Sequence, residues 1–384
     1  MESQAMNPKR FYFFDNLKAF IVLLMVVFHI GMGYTTWDLA WWTVNDRQKH
    51  IVFDYFILAT DVYIMPVMFL AAGYFAPVLL VRKGLGVFWR DKLRRIVIPW
   101  IGGVLFIAPL IAYSNLYSRM AIPPDFWDFW RNGFWGPYYQ QGHFWFLGIL
   151  TLFFLLLTLF HRLRPSFLSR PRQNSSPALW FFPLFTLLTA ACFFSANLYF
   201  WNDTWMNATY LFMIQPVRLL LHLCYFGLGI YAWKQSWLTP GGYSPRLIPW
   251  CAAAISMLAV FLLYRVSFTL MPEVPLPAKA GHALCHAAFA LTATFALLAL
   301  FQHYVDSSTY LWRRLAANSY IIYFIHQCIV IPIACLVQLL EINIWLKYAG
   351  VCSVALILCF LLAEYVIQPV LTLGKKRKPI AIAR

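Results

Sequence analysis

The sequence predicts an all-α polytopic membrane protein with about ten transmembrane helices and both termini in the cytoplasm. Of its 384 residues, 62% are hydrophobic and 11% are charged, whereas a soluble domain carries about 25% charged residues. The apolar runs are long and lack the strict alternation of a membrane β-barrel strand. Helices are therefore expected, because lipid requires every backbone hydrogen bond to be made within the span.

Ten apolar segments are each long enough to cross a bilayer, which takes about 20 residues. We expect them at residues 16–37, 51–81, 96–117, 143–160, 178–200, 209–233, 247–270, 282–303, 316–339 and 348–370. The second is long enough to be tilted or interrupted, and Pro66 and Gly73 are the residues expected to break it. The whole chain, 1–384, is predicted to be one membrane domain, with segment 1–15 and a basic tail, 371–384, in the cytoplasm.

The distribution of positive charge predicts the orientation of these spans. Basic clusters, such as the loops at 82–95 and 161–177 and the tail, alternate with loops that are nearly free of Lys and Arg. This is the positive-inside pattern of a protein in a lipid bilayer. It accounts for most of the net charge of +16, so the charge is not taken as evidence for nucleic acid as a partner.

Cysteine and histidine spacing gives little support for a metal site. The eight cysteines all lie in predicted spans and form no CxxC pair, which indicates small apolar fillers rather than disulfides or ligands. His282 and His286 have the i, i+4 spacing that can present two ligands to a metal or haem. Satisfied or solvated histidines at the start of a helix are commoner, and no metal site is predicted.

The strongest candidate site lies in the first span. Lys18 and His29 fall on one stripe of that helix, and Asp15 lies one turn before Lys18. The rise of an α-helix separates Lys18 from His29 by about 16 Å, which is roughly half a hydrocarbon core. A cation near one membrane face and a deep imidazole therefore point the same way, and polar groups at such depth usually face a bundle interior or a wet cavity.

A second polar run lies about halfway along the ninth span, in residues 318–327. Ser319, Tyr323 and His326 can share one face of that helix. Glu364, near the inner end of the tenth span, is either functional or reaches the headgroups.

Asp61 and Arg218 also lie in predicted spans and allow two interpretations each. Asp61 is a candidate acid–base or substrate-hydroxyl partner, or an interhelical hydrogen-bonding group. A deep Arg218 needs a carboxylate partner or a water-filled cavity, because a guanidinium cannot neutralise itself. The aromatic loop at 118–142 suits the headgroup level, and it can equally form a stacking platform for a sugar.

Taken in order, five motifs resemble the membrane acyltransferase-3 family, and within it the branch that contains the succinyltransferase of osmoregulated periplasmic glucans. The resemblance runs through all ten spans. Its motifs are Phe14-Asp15-Asn16-Leu17-Lys18-Ala19 with His29, Met68-Phe69-Leu70-Ala71-Ala72-Gly73-Tyr74-Phe75, Lys92-Leu93-Arg94-Arg95 before Pro99, His143-Phe144-Trp145-Phe146-Leu147, and Ser319-Tyr320 through His326-Gln327.

The resemblance implies transfer of an acetyl or succinyl group from cytoplasmic acyl-CoA to a hydroxyl of a carbohydrate or other envelope acceptor, in the bacterial inner membrane. His29 would act as general base or acyl carrier, because a neutral imidazole can remove the proton of an alcohol. Lys18 would hold CoA or the developing charge, and Tyr323 and His326 would line the acceptor or oxyanion region. The family usually has arginine at Lys18, which leaves the exact contact open, and often serine at Ala72.

Further roles follow from the same resemblance. Acyl-CoA would be a donor substrate, with no tightly bound cofactor, and the cationic loop would hold its phosphates through Arg90, Lys92, Arg94 and Arg95. Candidate substrate-binding residues are Asp15, Asp61, His143, Trp145, Arg218, Ser319 and Glu364. A free succinyl carboxylate would need a cation such as Arg218 or Arg265.

Two other classes of protein remain open from the sequence. Ten helices, an interrupted second span and midplane charges also suit a transporter or flippase for a polar envelope substrate, although no inverted repeat is visible. A haem-binding redox protein would need two histidines that face each other across the bundle.

Overall fold

The computed structural model describes residues 11–37, 39, 41–120, 122–168, 176–269 and 274–372. These residues form a bundle of long helices with one short hairpin, so the predicted all-α membrane fold is confirmed. Most of the predicted N-terminal segment and basic tail lies outside the described residues.

The helices follow one another with short connections. They are α1 (Tyr12–Gly31), α2 (Ile51–Lys92), α3 (Ile98–Gly102), α4 (Ala108–Arg119), α5 (Phe126–Asp128), α6 (Trp145–Leu163), α7 (Phe181–Asn197), α8 (Pro216–Lys234), α9 (Leu247–Thr269), α10 (Leu276–Tyr304), α11 (Tyr310–Val337), α12 (Ile344–Leu361) and α13 (Gln368–Thr372). Wider π-helical turns occupy Leu93–Val97, Gly103–Ile107, Phe129–Gly133 and Leu362–Ile367, and 3-10 turns occupy Met32–Tyr34, Gly142–Phe144 and Pro165–Leu168.

Seven helical segments of the described chain are long and apolar enough to cross a membrane. One of them, Ile51–Arg119, runs for 69 residues and contains the predicted second and third spans. The predicted fifth span corresponds to α7, which is a shorter apolar helix. The count of ten spans and the orientation of the termini therefore stay predictions.

Two predicted boundaries are wrong. The basic stretch at 82–95, expected to be a loop, is helical apart from Gly84, whose φ of 75° and ψ of 171° leave the helical region. The long helix thus breaks at Gly84, while Pro66 and Gly73 lie within regular helix. The sixth helix begins at Pro216 rather than at 209, because β1 (Met206–Ala208) and β2 (Phe212–Ile214) form an antiparallel hairpin before it.

Helices α2 and α8 approach each other at the level of their backbones. A Cβ atom on Gly73 would lie 2.0 Å from the carbonyl oxygen of Phe226, and one on Gly229 would lie 2.1 Å from that of Leu70. Small residues permit such contact between membrane helices. The close approach fixes how side chains of α2 and α8 face each other toward the end where α8 begins.

Helix α1 packs against α2, α10, α11 and α12. Its N-terminal end is anchored because Asn16 Nδ2 donates to the carbonyls of Val305 (2.7 Å) and Ser307 (3.0 Å), in the α10–α11 turn. The backbone N–H of Phe13 donates to Asp306 (3.1 Å) in the same turn. This anchoring sets the rotation of α1 and so the direction of its C-terminal side chains.

The segment between α1 and α2 folds back over the C-terminal end of α1. A buried ion pair holds it, with Lys347 Nζ 2.9 Å from Asp46. Arg119 donates from Nη2 to the carbonyls of Leu39 and Trp42, both at 2.9 Å. The segment is therefore fixed to both α4 and α12, and it places Trp42 beside the last turns of α1.

Candidate functional site

A cavity of about 930 Å³ opens among the helices at the end where α1 meets the segment that follows it. Its volume is in the range of small-molecule sites, which span about 300–1,000 Å³. The walls are largely apolar and aromatic, and the polar groups gather in two places. We call them the histidine end, formed by His29, His143, His326 and Trp42, and the charged end, formed by Asp61, Asp203, Arg218 and Arg265.

At the histidine end, two imidazoles from different helices are in direct contact. His326 Nε2 on α11 lies 3.2 Å from His29 Nδ1 on α1. Each ring also faces a backbone carbonyl of its own helix. His29 Nδ1 lies 2.8 Å from the oxygen of Met25, and His326 Nδ1 lies 2.7 Å from the oxygen of Tyr323.

These contacts assign the proton positions in the neutral rings. A carbonyl oxygen can only accept, so Nδ1 of each ring carries the hydrogen. His326 Nε2 is then an acceptor that faces the Nδ1–H of His29. The lone pair of His29 is consequently at Nε2, which is the arrangement that a general base requires, with its second nitrogen oriented by a partner.

His143 completes the cluster from the start of α6. Its ring centroid is 4.6 Å from that of His326, and its Nε2 donates to the carbonyl of Phe324 at 3.2 Å. Tyr323 donates its hydroxyl to the carbonyl of His143 at 2.6 Å. The Tyr323 hydroxyl hydrogen is thus used to join α11 to the start of α6.

Trp42 lies against the ring of His29, a contact that the sequence did not predict. The two rings are stacked, with centroids 5.4 Å apart and planes at 28°. Trp42 is 3% exposed, and its indole Nε1–H has no hydrogen-bond partner among the described residues. A buried donor without a partner is costly, so this N–H is available to a bound molecule.

The charged end joins three helices through ion pairs. Arg218 on α8 contacts Asp61 on α2 directly, and it lies 3.3 Å from Asp203 in the connection before β1. Arg265 on α9 lies 3.2 Å from the second oxygen of Asp203. A deep arginine needs such a partner, so the expectation that Arg218 has a carboxylate partner is confirmed. His222, one turn along α8, stacks between Phe69 and Trp145.

Comparison with known proteins identifies the family. Residues 11–364 match the family described as acyltransferase domain, which is nearly the whole chain. The chain belongs to this acyltransferase family. The resemblance noted from the motifs of the sequence is therefore confirmed, and this membrane protein is an acyltransferase by family.

Curated relatives of the acyltransferase include "Glucans biosynthesis protein C" of Escherichia coli strains SMS-3-5 and K12. Each is 26% identical over 177 residues, a region that covers 44% of this chain and 44% of the relative. The chain thus matches less than half the length of these relatives. No solved structure matches it.

The acyltransferase brings seven of the predicted site residues to one cavity. His29, His326, Tyr323, His143, Trp145, Asp61 and Arg218 all line it. The last three lie toward the charged end and the others at the histidine end. Their roles remain predictions, but the expectation that distant polar residues converge on one wet cavity is met in the structure.

The remaining predicted residues lie outside the cavity lining. Lys18 pairs with Asp15 at 3.0 Å and lies over the ring of Phe75. Ser319 donates to the carbonyl of Ala316 on its own helix. The basic residues near Gly84 occur on the helix itself, with three exposed and one half-buried, namely Arg90, Lys92, Arg94 and Arg95.

Glu364 belongs to a separate surface site. It contacts Arg314 at 3.0 Å and Asn318 directly, beside a shallow pocket that also includes Gln368. The carboxylate is neutralised there by Arg314. Glu364 therefore ties α11 to the C-terminal helix, and any substrate-binding role would be exercised away from the cavity.

A buried chain of hydrogen bonds closes the cavity between α6 and the hairpin. Gln141 accepts from Trp100 at 3.3 Å and donates to the Tyr139 hydroxyl at 3.0 Å, which donates to the carbonyl of Tyr210 at 2.5 Å. Burial raises the pKa of the Tyr139 phenol, so the group stays a neutral donor. Within the described ranges, no three His, Cys, Asp or Glu side chains are grouped to hold a metal ion.

Proposed function

We propose that this protein is an O-acyltransferase of the bacterial inner membrane. It moves an acetyl or succinyl group from acyl-CoA to a hydroxyl of a carbohydrate acceptor, with His29 as the base. The naming of its relatives as glucan biosynthesis proteins supports a glucan as the acceptor. The observation that carries the proposal is the pairing of His29 with His326 at the wall of a large cavity.

The transfer needs one proton to be moved twice. His29 Nε2 removes the proton of the acceptor hydroxyl as its oxygen attacks the thioester carbonyl. A C–O bond forms, the C–S bond breaks, and the CoA thiolate leaves with the proton that His29 returns. His326 Nε2 accepts from the Nδ1–H of His29 throughout, so it orients the base and stabilises the transient imidazolium. A positioned base of this kind contributes about 10²–10⁴ in rate.

Negative charge that develops on the thioester oxygen needs a donor. The Tyr323 hydroxyl was expected to line this region, but it donates to the His143 carbonyl. The indole N–H of Trp42 is buried, unpartnered among the described residues and stacked on His29. We assign to Trp42 the hydrogen bond to this oxygen, because preorganised donors at a water-poor site stabilise such charge most strongly.

Acyl-CoA as the donor is supported by the cationic surface near Gly84. Arg90, Arg94 and Arg95 are exposed on it, and arginine suits phosphate groups because its fork binds two oxygens. The Tyr320 hydroxyl donates to the carbonyl of Arg95 at 2.7 Å. This bond links the cationic surface to α11, the helix that carries His326.

A two-step route uses the same residues. His29 Nε2 attacks the thioester, CoA leaves as the thiol, and the acyl-imidazole then passes its acyl group to the acceptor hydroxyl. The two routes differ in one measurable respect. Only the two-step route releases CoA before an acceptor arrives.

The decisive experiment is release of CoA thiol from acetyl-CoA and from succinyl-CoA by the purified protein in lipid nanodiscs. It is run with and without a neutral glucose pentasaccharide, whose acylation is followed by mass spectrometry. We expect one donor to support acylated sugar, and His29→Ala to abolish it while the protein stays folded in the membrane. His303→Gln is the matched control, because His303 is exposed and lies outside the cavity lining.

Three outcomes of this experiment are informative. A burst of thiol without the sugar indicates the acyl-enzyme route, and thiol release only with the sugar indicates direct transfer. Near-normal transfer by His29→Ala would sink the assignment of the base. Transport of unmodified sugar into vesicles without acyl transfer would instead indicate a transporter.

A further inference from the structure

The charged end carries no net charge, although it is built from four ionised groups. Two guanidinium groups, of Arg218 and Arg265, face two carboxylates, of Asp61 and Asp203. The arginine side chains are 11% and 12% exposed, whereas those of Asp61 and Asp203 are 38% and 50% exposed. The groups that the cavity presents to a ligand are therefore mainly carboxylate edges, while their charge is compensated from behind.

His282 adds an unpartnered imidazole to this end. It lies on α10, is 2% exposed, lines the cavity and stacks on Phe268 with ring centroids 4.7 Å apart. Neither ring nitrogen has a hydrogen-bond partner among the described residues. A neutral imidazole offers one donor and one acceptor. A hydroxyl group is the simplest ligand group that can pair with either nitrogen.

Two further buried donors lie beside it. Asn202 is 3% exposed and accepts at Oδ1 from Asn197 at 2.8 Å, and its Nδ2 has no partner in the described chain. Arg218 Nε is buried and unpartnered in the same sense. Since buried donors and acceptors without partners are rare, a group of them along one wall indicates that a polar ligand completes it.

Aromatic faces lie next to these polar groups. Trp145 and Trp205 both line the cavity and make an edge contact at 5.3 Å. Trp145 also stacks on His222 at 6.0 Å. The C–H face of a sugar ring packs on such aromatic faces. Trp145 is two residues from His143, so it lies between the two ends of the cavity.

We propose that the charged end is the subsite for an uncharged sugar unit of the acceptor. This inference rests on the proposed function and specifies its acceptor. Carboxylate edges, paired arginines, His282 and Asn202 together match alternating hydroxyl donors and acceptors. A free carboxylate or phosphate would meet Asp61 and Asp203. The arginines are therefore not the site for a succinyl carboxylate, since their charge is already balanced.

The first test is equilibrium binding to the protein in nanodiscs, without any acyl donor. The ligands are glucose, glucuronic acid and glucosamine oligosaccharides of the same length and linkage. We expect the neutral glucose oligosaccharide to bind at least about tenfold more tightly than either charged one, because mismatched polar groups at such a site are strongly rejected. Equal or tighter binding of the acidic or the basic oligosaccharide overturns the proposal.

Two variants test the residues themselves. Asp203→Asn leaves an uncompensated positive charge, so the preference should shift by about tenfold toward the glucuronic acid oligosaccharide. His282→Phe keeps a ring on Phe268 and removes both nitrogens, so the neutral ligand should bind about tenfold more weakly. Asp128→Asn is the control, because Asp128 lies outside the cavity lining. Size-exclusion profiles establish that each variant is folded.

Unaltered binding by both variants would show that water, rather than a sugar, completes this wall. The result is separable from that of the proposed function. Selective sugar binding without any thiol release would contradict the acyltransferase chemistry and leave the subsite standing. Sugar acylation with unselective binding would do the reverse.

Discussion

The two ends of the cavity differ in how their polar groups are held. At the histidine end, neutral rings contact one another and backbone carbonyls, and no carboxylate takes part in the contacts of His29, His143 or His326. At the charged end, every guanidinium has a carboxylate partner. A neutral imidazole keeps a lone pair for proton transfer, whereas a closed ion network holds its shape and offers hydrogen bonds.

The difference teaches which property each end has been given. Proton transfer requires a group whose charge can change during the reaction. Recognition of hydroxyls requires groups whose charge is constant and whose geometry is fixed. Changes at the histidine end should therefore lower turnover, and changes at the charged end should weaken binding.

The largest effect is expected from His29→Gln. Glutamine preserves a polar side chain and removes the base, so kcat should fall by about 10²–10⁴. The dissociation constant of the neutral oligosaccharide should stay at the wild-type value, because the charged end is intact. Turnover and binding are measured on the same nanodisc preparation. Parallel losses of turnover and of sugar affinity would contradict the separation of the two ends.

Trp42→Phe should have the next largest effect. Phenylalanine keeps an aromatic ring against His29 and removes the indole N–H, so kcat should fall by about 10²-fold while the KM of the acyl donor changes little. Trp127→Phe is the matched control, since Trp127 is 62% exposed and outside the cavity lining. A rise in donor KM with unchanged kcat would assign Trp42 to ground-state binding instead.

The histidine end was largely predictable from the sequence, and Trp42 was not. His29 and His326 are conspicuous because an imidazole deep in an apolar span is expensive. Trp42 lies in a loop at the membrane boundary, where tryptophan is common for reasons unrelated to catalysis. Its contact with His29 depends on the folding of residues 32–50 over α1, which no local pattern reports.

The errors in the fold have a similar origin. Lys and Arg near residue 90 mark a membrane boundary by charge, but they also have high helix propensity, so the helix continues through them. Only Gly84 leaves the helical region. Likewise, His282 and His286 were weighed as metal ligands from their spacing. Their proximity to Arg218 and Arg265 arises from tertiary packing and became visible only in the structure.

A smaller loss of turnover is expected from Lys347→Met. The substitution leaves Asp46 buried without its partner, which should lower the free energy of unfolding by about 3–5 kcal/mol. Since Asp46 belongs to the segment that positions Trp42, turnover should fall by about tenfold. Adding Asp46→Asn removes the stranded charge and should restore most of the stability. Thermal unfolding in nanodiscs and turnover are compared. Equal damage in the single and double variants would rule out the buried charge as the cause.

The smallest effect is expected from Arg119→Gln. Arg119 donates to the carbonyls of Leu39 and Trp42, so its loss frees the backbone of the segment while Asp46 still anchors it. Each lost hydrogen bond is worth about 1 kcal/mol, and a turnover loss of about fivefold follows if that energy holds Trp42 in place. Arg131→Gln, at an exposed site outside the cavity lining, controls for charge. If Trp42→Phe is made first, Arg119→Gln should have little further effect on turnover, because the donor it positions is gone. Additive losses would show that Arg119 acts on the histidine end by a route that does not involve Trp42.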